Sequence, residues 1–453
     1  MKNITIREAA AAVHGTLHGE SGTEDKSICG IAIDNRKIEK GWLFVPIKGE
    51  RFDGHSFIDA AFDAGAVCTL SEKDLSRTPY IKVSDTQQAF RDLAEYYRSL
   101  FSIRAIGITG SVGKTTTKEM VASVIKQCFN TLYTEGNLNN QTGVPLTVLK
   151  LEPWHEAAVI EMGTNHFGEI AAVAKVVRPD YCIFTNIGEA HLEFLGSKEG
   201  ILKAKTEMID FMNPGGKVII NGDDEYLKTL KSKRDDVISF GFEKENDIFI
   251  SEYSDMGLKG SSFTAETPEG KITAAVHAPG KHMVYNSLAG IAAGLCCGMK
   301  CEDIAKGIEE YRAMSGRLNI IDADGYTVID DVYNASPSAM RSSLDVLSDA
   351  GGRRVCILGD MLELGENSEN KHLEIGRYAA DKDIDVIIAV GNEAKNICRG
   401  AEECGRNALH FDTQDDMLKE LSGIVEPGDT ILVKASRGMH LEKTVGHLVN
   451  GEE

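Results

Sequence analysis

The stretch GITGSVGKTTTKEM, residues Gly107–Met120, constrains the fold of this chain more than any other. It follows SIRAI, which reads as a buried strand, and its Lys-Thr pair opens a helical segment. A strand, a glycine-rich turn and a helix N-terminus together aim backbone N–H groups at an anion, and a lysine at the turn reaches terminal phosphates. Gly110 and Gly113 permit close backbone approach, Lys114 supplies the charge, and Thr115 offers a hydroxyl to magnesium. Thr109, Ser111, Val112 and Thr116 complete the segment expected to touch nucleotide. The spacing departs from GxxxxGK[ST], because Ile108 stands five residues before Gly113 and glycines fall at 107 and 110 instead. An ATP or GTP site on a mostly parallel sheet is the expectation.

That expectation agrees with the pattern around it. From about residue 84 to 314, apolar β-branched runs alternate with helical segments, the pattern of a parallel sheet covered on both faces. Later runs, DIFISEY, GLKGSSFTAE and KITAAVHA, alternate polar with apolar and predict an antiparallel appendage. Residues 1–83 read as a small α/β domain, and residues 315–453 as a second βα series with a Rossmann-like, doubly wound sheet. The fold class expected is therefore α/β in three domains, 1–83, 84–314 and 315–453.

A formal charge of −20 opposes binding to nucleic acid, and no basic stripe reverses it. No apolar run approaches the roughly 18 residues of a membrane span, and MKNITIREAAAAVHG lacks an export signal, so a cytoplasmic protein is expected. The ten cysteines form no CxxC pair and read as structural thiols.

Phosphoryl chemistry needs groups that hold magnesium at strand C-termini near the loop. Glu161, in VIEMGTNHFGEI, ends a buried strand, and His191, in CIFTNIGEAHLEFLGSKEG, follows the next one. Each has a plainer alternative: Glu161 as a helix cap, His191 as a packing residue. Two such groups on one phosphate-binding sheet favour metal.

Together, TGSVGKTTTKEM, EMGTNHFGEI, TNIGEAHLEFLGS, KAKTEM, HMVYNSLAG and DDVYNASPSAM resemble the Mur ligase family over nearly the whole chain. The resemblance implies an ATP-dependent amide-bond ligase of peptidoglycan precursor synthesis, in which a substrate carboxylate becomes an acyl phosphate and an amine displaces phosphate. It implies ATP and Mg2+, with Lys114, Glu161, His191 and Lys205 catalytic and Thr115, Glu161, His191 and Lys205 around the metal. Lys205 matches a lysine that the family often carbamylates. Without the resemblance it reads as an exposed helix lysine, with Lys203 on another side of the helix. Asn286 matches a base contact, near His282, and Arg317 and Asp331 match γ-phosphate and ribose contacts. Asn286 reads equally as an internally hydrogen-bonded polar residue.

For the substrates, the resemblance places uridine or its phosphates near Asp34, Asn35 and Arg36, which otherwise read as an ordinary surface turn. Asn137, Asn139, Asn140, Gln141 and Thr142, in TEGNLNNQTGVPLTVL, are neutral donors before a helix, suited to a pyrophosphate and sugar, although Asn-rich turns also serve conformation alone. A DNPR-like element that would grip diaminopimelate is absent, and LGDMLELGENS stands instead, which resembles the dipeptide-adding branch of the family; that resemblance implies UDP-N-acetylmuramoyl-tripeptide and D-Ala-D-Ala as substrates. Lys434, Ser436 and Arg437, at a strand end, suit a carboxylate or phosphate. A monomer is expected, with Ser315-Gly316 as a hinge. The competing readings are another amino-acid-adding ligase of the family, a folylpolyglutamate synthase relative, and an ATP-hydrolysing switch protein.

Overall fold

The computed structural model describes residues 2–49, 52–188, 192–323 and 325–451, with the side chain of Leu192 set aside. It forms two compact units, one of Met1–Thr109, Cys128–Ile183 and Lys203–Val218, the other of Gly110–Gln127, Phe184–Leu202 and Ile219–Glu453.

In the first unit, short strands pair in the order Thr16–His18, Tyr80–Lys82, Cys68–Ser71, Trp42–Phe44 and Gly30–Ala32; the first pair is antiparallel and the rest are parallel. The helix Thr86–Ser99 begins where Asp85 accepts the amides of Gln87 and Gln88, at 2.8 and 3.0 Å. Such a cap satisfies donors that the first helical turn leaves without partners. Its far end is tied down by Tyr97 Oη donating to Leu151 O at 2.7 Å and Arg98 Nε to Val177 O at 3.0 Å.

The strands that position the site are β1 (Arg104–Thr109), β2 (Thr131–Tyr133), β3 (Ala157–Glu161), β4 (Tyr181–Phe184) and β5 (Lys217–Asn221), in the sheet order β5-β4-β1-β3-β2. β3 runs parallel to β1 and to β2. All five residues of β3 are buried, as a strand covered on both faces requires. The boundary between the units falls inside β5.

In the second unit, β5 continues to β6 (Val237–Gly241), β7 (Ile248–Asp255), β8 (Ser261–Thr267) and β9 (Gly270–Val276). β8 pairs antiparallel with both β7 and β9, so the alternating runs form the appendage that their pattern predicts. β7 joins β6 in parallel, and its register shifts between Ile250 and Glu252. The C-terminal series comprises β10 (Asn319–Ala323), β11 (Tyr326–Asp330), β12 (Arg354–Gly359), β13 (Val386–Val390), β14 (Ala408–Phe411) and β15 (Thr430–Lys434), in the order β10-β11-β15-β12-β13-β14. Only β10 and β11 pair antiparallel; the remainder is the expected parallel sheet. Two apolar clusters pack against it, one including Leu344, Leu358 and Ile397, the other Val328, Ile357 and Val445. Among the described residues, no helix is long and apolar enough to cross a membrane.

Candidate active site

The glycine-rich loop leaves β1 at Thr109 and enters the helix α1 (Lys114–Ile125) through Gly113, whose φ of +78° is a left-handed conformation that favours glycine. Gly110 is needed for space: a Cβ there would stand 1.9 Å from Thr185 Oγ1. The TNIG segment after β4 braces the loop. Ser111 N donates to Asn186 O and Val112 N to Asn186 Oδ1, each at 3.0 Å. Val112 O accepts from Thr185 Oγ1 at 2.9 Å and Asn186 Nδ2 at 3.0 Å, and Gly188 N donates to Ser111 Oγ at 2.8 Å. Thr185 and Asn186 were not singled out by sequence reasoning; only their place just past a strand end in the same sheet pointed to them.

Lys114 Nζ donates to the loop carbonyls of Gly110 at 3.0 Å and Ser111 at 3.3 Å, which keeps the ammonium over the loop. Thr115 is buried, and its Oγ1 accepts from Arg317 Nη2 at 3.0 Å, a contact spanning 202 residues of sequence. The Arg317 guanidinium carbon lies 3.7 Å from the ring centroid of Tyr333. Two cations therefore flank one phosphate-type loop, and in a protein of formal charge −20 such local concentration suits a small polyanion. Thr116 is half-buried on the same helix.

Asn286, on the helix Lys281–Cys296, is buried; its Oδ1 accepts from Thr117 Oγ1 at 2.7 Å and lies 4.0 Å from where a Gly113 Cβ would be. It is internally hydrogen-bonded, as one reading of the sequence expects, and it sits against the loop. Neighbouring His282 contacts Ser342 Oγ at 3.3 Å, and its pKa falls to about 4, chiefly because burial disfavours the charged ring. Asp331 is engaged within its own fold. Its Oδ2 accepts from Lys434 Nζ at 2.5 Å and Ser343 Oγ at 2.6 Å, and its Oδ1 from Leu318 N at 3.2 Å. At the expected hinge, Asp330 Oδ2 accepts from Gly316 N at 2.7 Å and Ser315 Oγ at 3.1 Å. Its Oδ1 is buried without a hydrogen-bond partner among the described residues, and burial raises the pKa of Asp330.

In the first unit, Glu161 is 1% exposed at the C-terminal end of β3. Its Oε1 accepts from Asn139 Nδ2 at 2.7 Å, while its buried Oε2 has no hydrogen-bond partner among the described residues. An unsatisfied buried carboxylate oxygen is costly unless a ligand completes it. Lys205, on the helix Lys198–Thr206, is also 1% exposed, which corrects the reading of it as an exposed helix lysine. Lys203, two residues earlier, is exposed near the Phe167 ring, as helical geometry requires. Glu207 accepts from Gly168 N at 2.8 Å and Ala171 N at 3.2 Å, tying the KAKTEM segment to the EMGTNHFGEI loop. His191 lies outside the described residues.

The other expected substrate contacts also fall in the first unit. Asn140 Oδ1 accepts from Thr142 N at 3.1 Å and Gly143 N at 2.8 Å, fixing the turn that leads into the helix Gly143–Val148. Gln141 Oε1 accepts from Arg91 Nη1 at 3.1 Å, and Asn137 is exposed. Asp34 caps the turn Asn35–Lys37 and holds Arg36 through two contacts, Nε at 2.9 Å and Nη2 at 2.8 Å. Those side-chain and backbone bonds from Arg36 draw the Asp34 pKa down to about 2. The arrangement is that of a self-satisfied surface turn.

Three family models match the chain: Mur ligase middle domain over residues 108–294, Mur ligase, glutamate ligase domain over 316–437, and Mur ligase family, catalytic domain over 27–98. The UDP-N-acetylmuramoyl-tripeptide–D-alanyl-D-alanine ligase of Bacillus subtilis is 38% identical over 98% of each chain. A crystal structure of MurF from Acinetobacter baumannii superposes with a TM-score of 0.92 at 34% identity, covering 99% of both chains. The MurF ligase of Thermotoga maritima, solved in complex with ADP, gives a TM-score of 0.82 at 28% identity over 92% of this chain and 96% of that one.

Proposed function

This chain belongs to the Mur ligase family, and from that premise we propose that it joins D-Ala-D-Ala to UDP-N-acetylmuramoyl-tripeptide at the expense of ATP, in peptidoglycan precursor synthesis. The observation that carries the reading is the convergence of Lys114 and Arg317 on the glycine-rich loop and Thr115.

A carboxylate resists attack by an amine because its oxygen is a poor leaving group. In the reaction proposed, an oxygen of the tripeptide's terminal carboxylate attacks the γ-phosphorus of ATP and ADP leaves. The D-Ala-D-Ala amine then attacks the acyl carbon, the C–O bond to phosphate breaks, and the amine nitrogen loses a proton as the amide forms. Lys114 moves from loop carbonyls to the β- and γ-phosphates, and Arg317 supplies charge where it accumulates on the γ-phosphoryl group. Bound magnesium would neutralise the anions brought together, and Glu161 fits it with a buried carboxylate oxygen that has no partner among the described residues; Thr115, whose hydroxyl here accepts from Arg317, is a further ligand proposed on the family resemblance. Lys205, buried on its helix, is the residue proposed to take up carbon dioxide on its amine, releasing a proton and leaving a carbamate, an anion able to support the metal. His191 is the proposed ligand of a second magnesium.

We assign residues 1–83 to the UDP-muramyl end, 84–314 to ATP and 315–453 to the incoming amine, and place the reaction in the cytoplasm, where ATP and UDP-linked precursors are found. Phosphate release measured with UDP-N-acetylmuramoyl-tripeptide, with and without D-Ala-D-Ala, tests the reading. Release that needs both substrates is expected. Release independent of both would indicate the ATP-hydrolysing switch, and stimulation by a different amino acid would indicate another member of the family.

A further inference from the structure

The chain enters β10 through Ser315-Gly316-Arg317-Leu318, just outside the β10–β11 hairpin, whose ladder ends at the pair Asn319 and Asp330. The ladder does not continue because Gly316 has a φ of +76°, a left-handed turn that an extended strand does not contain. Groups from the end of β11 take over from it. Asp330 Oδ2 accepts from Gly316 N at 2.7 Å and from Ser315 Oγ at 3.1 Å. Gly316 O accepts from Tyr333 N at 3.0 Å, and Asp331 Oδ1 accepts from Leu318 N at 3.2 Å. The backbone is therefore clasped immediately before and immediately after Arg317.

Arg317 leaves this clasp on a defined course. Its N–H closes a turn on Met314 O at 3.1 Å, its guanidinium carbon lies 3.7 Å from the Tyr333 ring centroid, and its Nη2 donates to Thr115 Oγ1 at 3.0 Å. The clasp and the ring beneath the guanidinium come from one stretch, residues 330–333, so the arginine is carried by the C-terminal sheet. Among the clasping groups, Asp330 is the one that stability alone explains least. It is 2% exposed, and its Oδ1 has no hydrogen-bond partner among the described residues. Burial outweighs the bonds that it accepts and raises its pKa, so the ionised side chain works against folding rather than for it.

Resting on the ligase reading above, we propose that Asp330 is a positioning residue, which by holding Ser315 and Gly316 sets the direction from which Arg317 meets the γ-phosphoryl group. What Asp330 supplies is an acceptor oxygen placed between two donors. Without it the buried Gly316 N–H loses its partner, and a glycine has the widest choice of alternative backbone conformations. Leu318 would stay tied to Asp331 while the chain before Arg317 turned, which moves the guanidinium without unfolding the sheet.

The test is a double-mutant cycle on amide formation at saturating UDP-N-acetylmuramoyl-tripeptide and D-Ala-D-Ala, with folding followed by circular dichroism and urea titration. Asp330→Ala should lower kcat at least about tenfold, the scale of losing one bond to a charged group, with KM for both substrates within about twofold of wild type. In an Arg317→Ala background the same change should lower kcat by less than about twofold, because its route to the reaction has already gone. Asp330→Asn, which keeps an acceptor oxygen, should recover most of the kcat that Asp330→Ala loses. Should Asp330→Ala not fold, Ser315→Ala takes its place in the cycle, with a loss of about threefold expected alone and none beside Arg317→Ala. An unchanged kcat in folded Asp330→Ala, losses that multiply in either cycle, or an asparagine variant no better than alanine would overturn the assignment. A wild-type protein that forms no amide defeats the ligase reading instead.

Discussion

His282 has a pKa lowered to about 4 from an ordinary value of 6.5, because burial penalises the imidazolium. The unfolded chain therefore takes up a proton at this site as pH falls through about 6.5, while the folded chain does so only near 4. Its contribution to stability is present above pH 6.5 and is lost progressively towards pH 4. In urea titrations across that window, His282→Gln should lose less stability than the wild type on acidification; parallel losses would show that another group is responsible. Lys114 was marked by its glycine-rich turn, whereas Glu161 was marked only together with His191, since a strand-end carboxylate alone reads equally as a helix cap. Residue type did not reveal that Asn139 is the hydrogen-bond partner of Glu161, since that pairing depends on a turn bringing together residues 22 apart. Nor did it distinguish an Arg36 available to ligand from one bound bidentately to Asp34, two positions away.

At the scale of elements, the β1-loop-α1 unit was legible because its signals are local: a β-branched run, glycines at fixed offsets and a helix opened by Lys-Thr. The brace from Thr185 and Asn186 was not, because it joins residues about 74 apart through a neighbouring strand. The helix Pro337–Ser348 opens on a proline, a residue favoured at the first helical position, and Ser336 caps it by accepting from Ala339 N. The brace yields a paired prediction. Gly110→Ala should abolish nucleotide binding, because the new Cβ would collide with Thr185 Oγ1. Removing that hydroxyl in Gly110→Ala/Thr185→Ala should restore part of the binding, read by titration with a fluorescent ATP analogue. A double variant no better than the single one would mean that backbone freedom at Gly110, rather than space, is what the loop requires.

For the whole molecule, the three-part texture of the sequence matched an α/β architecture with mostly parallel sheets, and the curated relative and solved structures match along nearly the full chain. Strand and helix periodicity carried that result, since buried parallel strands and their crossover helices leave a strong pattern over hundreds of residues. The substrate ends were harder to read, because polar turns serve conformation and recognition with the same residue types. What the account requires of the molecule as a machine is that ATP activates a carboxylate before the amine arrives. The most direct measurement labels both oxygens of the tripeptide's terminal carboxylate with a heavy oxygen isotope and follows the label by mass spectrometry after turnover with ATP and D-Ala-D-Ala. One labelled oxygen should appear in each phosphate released and the other in the new amide. Unlabelled phosphate accompanying amide formation would contradict the acyl-phosphate route, and phosphate released without any amide would contradict the ligase.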